Sequence, residues 1–181
     1  MKTTLAVCLC LTLAGALGAQ PANPLTTAVT QAFHSARMNL EESAALMPED
    51  KYGFRLTESQ RTFGEWIGHT IMANYNSCAG MKGEKPPAAA EQAHHLKAKA
   101  ELTQAMQESF AFCSETLKTM DDQKALAPAG PNQPPPVRNM VGLLTLLSSH
   151  YGNMVGYLRT NNLTPPSTAR AQKSKKSGPS H

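Results

Sequence analysis

Apolar positions along the chain recur at spacings of three and four in four separate stretches, and nowhere alternate with polar ones over a sustained run. That is the period of helices buried along one face, not of strands. In the first stretch Leu25, Val29, Phe33, Ala36, Leu40, Ala44 and Met47 form one stripe, which Pro48 closes. The second carries Phe63, Trp66, Ile67, Thr70, Ile71, Tyr75, Cys78 and Met81 and stops at Gly83, with Pro86 and Pro87 beyond. Its start is expected at Thr57, where Thr57-Glu58-Ser59-Gln60 has the form of a capping box, a hydroxyl facing the third amide and a Gln reaching back. The third and longest is expected as one helix from Ala89 to Met120, with Leu102, Met106, Phe110, Cys113 and Leu117 at helical spacing and many strong helix formers between them. Pro128, Gly130, Pro131, Pro134, Pro135 and Pro136 make the stretch from Ala125 to Pro136 an extended connection. A fourth helix follows from Val137 to Arg159, with Met140, Leu144, Leu147, Tyr151, Met154 and Leu158 on its stripe. Four helices with one apolar stripe each bury those stripes only against one another, so the expectation is an all-α four-helix bundle over residues 24–163.

Ahead of the bundle, Lys2 precedes an apolar run from Leu5 to Leu17 that gives way to Gly18, Ala19, Gln20 and Pro21. This is the layout of a signal peptide over residues 1–19, cleaved near Ala19. An uncleaved anchor is the competing reading, but the run is shorter than the roughly 20 apolar residues a permanent span needs, and no later segment supplies a stable membrane span. Lipidation is rejected because Cys8 and Cys10 lie inside the apolar run, not directly after the cleavage point. The expected location is therefore outside the cytoplasm, periplasmic or secreted. Removing the signal leaves about 160 residues, enough for one domain with a proper core and too few for two.

The formal net charge of +4 is concentrated at the end of the chain, where residues 164–181 hold Arg170, Lys173, Lys175 and Lys176 without an acid. That segment reads as a basic disordered tail. The rest of the mature chain is close to neutral and shows no basic patch interleaved with aromatics, so no nucleic-acid partner is expected. Past the signal only Cys78 and Cys113 remain, which in an oxidising compartment either form one disulfide or sit as two small buried core residues.

Candidate chemistry is sparse, with no Gly-rich phosphate loop, no G-x-S-x-G, no C-x-x-C and no H-E-x-x-H. Of six histidines, His94 and His95 begin the third helical stretch and His181 is the terminus, positions that favour exposure; His34 lies in the first helix. His69, three residues after Trp66, and His150, beside Tyr151, flank apolar stripes and point towards neighbouring helices, as core hydrogen-bonding groups or as ligands. The nine methionines are spread over all the helices and the signal, which reads as core filling. Asn162-Leu163-Thr164 fits the glycosylation pattern, but Pro165 follows it and the match reads as accidental.

Longer stretches carry a resemblance. Arg61-Thr-Phe-Gly-Glu-Trp-Ile-Gly-His69 with Tyr75 resembles the metal-presenting second helix of the DinB/YfiT-like family. His150-Tyr-Gly-Asn-Met-Val-Gly-Tyr-Leu-Arg159, running on to Pro165-Pro166-Ser167, resembles its last helix and exit. Ser43 to Pro48 and Tyr52-Gly-Phe-Arg55 resemble the link between its first two helices, so the similarity spans residues 24–168. It implies an exported bacterial member of a family of four-helix bundles, often homodimeric, in which three histidines hold a divalent metal such as zinc or nickel. It also implies that His69 and His150 are metal ligands, and that Leu146 stands where a third histidine, one turn before His150, is usual. His34, Glu65 and Asn74 are candidate substitutes for the missing donor.

The expected function is thus an exported DinB-like bundle, a binding or stress-related module with a degenerate divalent-metal site and a small-molecule ligand. The alternative is a metal-dependent hydrolase or thiol-dependent transferase working through His69 and His150, with catalytic residues unknown. A third reading makes the basic tail the contact for a partner protein.

Overall fold

The structure, a computed structural model, describes residues 22–128 and 130–177. The expected signal peptide at residues 1–19 lies outside them. Four long helices form the bundle: α1 (Pro24–Leu46), α2 (Phe63–Lys82), α4 (Lys99–Lys118) and α6 (Val137–Thr160). Three short ones complete it, α3 (Ala89–Gln92), α5 (Asp122–Leu126) and α7 (Pro166–Lys176), and no strand occurs among the described residues. Both α4 and α6 pack against α1 and against α2, which places α1 and α2 on opposite sides of the core. Predicted stripe residues fill that core: Phe33, Leu40, Ile67, Ile71, Met106, Phe110, Leu147 and Met154 are all at most 2% exposed, so the periodicity identified the inward faces correctly.

Helix α2 starts later than expected, because the capping box forms at Thr62 and Glu65 instead of Thr57 and Gln60. The Thr62 hydroxyl accepts from the Glu65 amide at 3.2 Å while the Glu65 carboxylate accepts from the Thr62 amide at 2.7 Å. Long-range geometry chose between the two motifs. The Phe63 amide donates to the Phe54 carbonyl (2.9 Å) and the Gly64 amide to that of Tyr52 (2.8 Å), so the preceding loop satisfies the amides that open the helix.

The expected third helix is broken. Residues 93–98 separate α3 from α4, and two tertiary ties account for it. Ala93 is buried against α2, where a Cβ added at Gly68 would meet the Ala93 carbonyl at 2.9 Å. At the other side of the break, Lys99 Nζ donates to the Ala45 and Met47 carbonyls (2.8 and 2.7 Å) at the end of α1. Helix α1 is capped from afar, as the Asp122 carboxylate accepts from the amides of Leu25 and Thr26 and from the Thr26 hydroxyl.

Cys78 and Cys113 are paired, with Cα atoms 5.3 Å apart, and cross-link α2 to α4. The basic tail is also more structured than its composition suggests. Pro166 opens α7 and is buried, Ser167 exchanges hydrogen bonds with the Tyr151 hydroxyl, and Arg170 pairs with Glu42 and Asn39 of α1. Asn162 holds φ of 60° just past α6, a left-handed turn position that explains an Asn there without glycosylation.

Candidate functional site

Helices α2 and α6 bring His69 and His150 together, with ring centroids 4.9 Å apart and planes inclined by 45°. Trp66, one turn before His69, lies 5.4 Å from the His150 ring and 6.1 Å from that of His69. The two histidines that flank apolar stripes in the sequence are therefore neighbours in space.

His150 is 3% exposed, and its Nδ1 lies 3.2 Å from the Thr70 hydroxyl. That hydroxyl has one proton, which it donates to the Trp66 carbonyl at 2.9 Å. Its oxygen is then left to accept, so the network assigns the imidazole proton to Nδ1 and leaves the Nε2 lone pair free. Burial, then the proximity of His69 and Arg61, pushes the His150 pKa down to about 4. Burial followed by the charges of Arg61 and His94 lowers that of His69. Desolvation disfavours the charged form of a histidine, so both rings are neutral at pH 7.

Around the pair the scaffold is held by a residue that the sequence pattern did not single out. Tyr157 of α6, fully buried, accepts from Trp66 Nε1 at 3.2 Å and donates to the Arg61 carbonyl. The Arg61 guanidinium in turn lies 5.1 Å over the Trp66 ring. Trp66 and Arg61 form one wall of a cleft of about 890 Å³ that runs along the first half of α2 and is closed on the other side by residues 93–97. His69, Met72, His94 and Lys97 line it too, whereas His150 lies behind His69 and outside the lining. Exposure of His94 was expected; its place at the cleft was not, because it depends on the break between α3 and α4.

The three-histidine metal set implied by the resemblance is incomplete. Leu146, one turn before His150, offers no donor atom and is 39% exposed. None of the proposed substitutes replaces it. His34 is exposed on α1, across the core from α2, and the Glu65 carboxylate is engaged in the capping box. Asn74 is buried between α2 and α4, where its Nδ2 donates to Ser109 Oγ at 2.9 Å and its Oδ1 has no partner. Among the described residues no three His, Cys, Asp or Glu side chains come together as a metal-holding group. A divalent ion with three protein ligands does not fit these residues.

Fold and site define a helical bundle in which buried His150 backs a neutral His69 at the wall of a cleft. The model of the DinB superfamily matches residues 32–154, and the chain belongs to that superfamily. The crystal structure of a DinB-like protein from Bacillus cereus ATCC 10987 superposes with a TM-score of 0.66 at 13% identity, covering 77% of this chain and 95% of that one. No curated protein matches the chain.

Proposed function

We propose that this chain is an exported binding module of the DinB superfamily that takes a small-molecule ligand into the α2 cleft and has a degenerate divalent-metal site. One observation carries the reading: His69 and His150 are in contact and uncharged, yet Leu146 supplies no third ligand and, among the described residues, no three His, Cys, Asp or Glu side chains come together as a metal-holding group. Two imidazoles alone bind a divalent ion weakly, and the Arg61 guanidinium close to both adds repulsion. In the proposed role Trp66 offers a flat apolar face, Arg61 and Lys97 offer charge at the rim, and neutral His69 offers a proton acceptor. The disulfide supports export, since such bonds persist in oxidising compartments.

Pairing of two neutral imidazoles favours one second reading, a metal-dependent hydrolase or thiol-dependent transferase using His69 and His150. Elemental analysis separates the two. The protein purified from an exporting host without chelators is expected to begin after Ala19 and to carry far less than one equivalent of zinc or nickel. One equivalent in the wild type that is lost in both His69→Ala and His150→Ala would establish the enzyme reading instead.

A further inference from the structure

Met72 and His94 come together at the cleft from different segments. His94 Nε2 lies 3.1 Å from Met72 Sδ, although the residues are 22 apart in sequence. Met72 belongs to α2, and His94 belongs to the break between α3 and α4 that is seated on Gly68. His69 precedes Met72 by three residues on the same helix and lines the same cleft. Nitrogen and thioether sulfur are thus presented side by side, with a second imidazole one turn away. The absence of a three-member His, Cys, Asp or Glu group does not bear on such a set, because a thioether is not among those donors.

We infer that Met72, His94 and His69 form a site for a soft monovalent cation, copper(I), in the α2 cleft. Thioether and imidazole ligands select copper(I) over harder divalent ions, and copper(I) accepts two or three ligands where zinc wants four. Charge points the same way. Arg61 and Lys97 line the cleft against one acid, Glu65, and the repulsion they exert on a divalent ion is twice that on a monovalent one. Copper(I) adds to the lone pairs of the thioether sulfur and the imidazole nitrogens, so it enters by ligation alone, without electron transfer. Most of the methionines are core filling as the sequence suggests, but Met72 is only half-buried and has a histidine against its sulfur.

The inference shares His69 and the α2 cleft with the proposed function but uses neither His150 nor a divalent ion. It is tested on the full, disulfide-bonded mature protein by anaerobic competition for copper(I) held by a bicinchoninate chelator. One equivalent is expected to transfer, and Met72→Leu and His94→Ala are each expected to weaken binding at least tenfold. Leu nearly matches Met in volume, and unchanged circular dichroism and melting confirm that the variant is folded. His34 is exposed on α1 across the core from the cleft, and His34→Ala should bind as the wild type does. No transfer to the wild type, or equal affinity in folded Met72→Leu, overturns the site. Neither result touches the zinc and nickel analysis, so the two ideas fail separately.

Discussion

His150 shows how one side chain's burial becomes a property of the whole protein. Its pKa falls from an ordinary 6.5 to about 4 in the fold, so between those values the unfolded chain binds a proton that the native chain refuses. Stability rises with pH wherever the unfolded state binds more protons. The contribution of neutral His150 is therefore complete above pH 6.5 and is lost as pH falls towards 4, a loss of roughly 3 kcal/mol. Urea unfolding at pH 7 and pH 4 is expected to show this loss, and His150→Gln, which cannot titrate, should show a correspondingly shallower dependence. Equal slopes in the two proteins would mean that His150 takes up its proton in the folded state. Much of this residue's environment was foreseeable: the spacing from Leu147 and Tyr151 turned His150 inward. Its tautomer was not, because that depends on Thr70 in another helix spending its proton on the Trp66 carbonyl.

At the level of elements, the link between α2 and α4 is covalent. The Cys78–Cys113 bridge joins the C-terminal parts of two neighbouring helices across a sequence separation of 35 residues. Closing a loop of that length removes unfolded-state entropy equivalent to about 4 kcal/mol. Replacing both cysteines by Ala is expected to lower the guanidinium-derived stability by this order, leaving a folded bundle with its helical circular dichroism. An unchanged midpoint would show that the bridge is absent from the purified protein. Apolar spacing placed both cysteines on inward faces and could go no further, since pairing depends on how α2 and α4 align. The same limit explains the break before α4: propensity favours one continuous helix, and the close approach of Ala93 to Gly68 together with the ties from Lys99 override it.

Over the whole molecule, α7 beyond its buried first residue Pro166 packs on α1 through a small number of partly exposed contacts. Arg170 and Glu42 remain 39% and 51% exposed at their side chains, and charge pairs of that kind contribute about 1 kcal/mol or less. Deleting residues 164–181 is accordingly expected to leave the bundle folded, with a melting temperature lower by only a few degrees. A collapse of the melting transition would instead make α7 part of the cooperative core. Composition alone predicted disorder here because it counts charges and cannot see that Glu42 and Asn39 of α1 stand opposite Arg170.

Sequence by itself determined the helical class, the inward faces of the four long helices and the places of His69 and His150 beside those faces, because each follows from local periodicity that a bundle must satisfy. Tertiary structure decided which of two capping boxes opens α2, where the third helical stretch breaks, whether Cys78 and Cys113 pair, and that Met72 and His94 share a cleft. Those outcomes depend on backbone groups and side chains brought together from distant parts of the chain, where a neighbour's carbonyl or charge outweighs a local preference of comparable size.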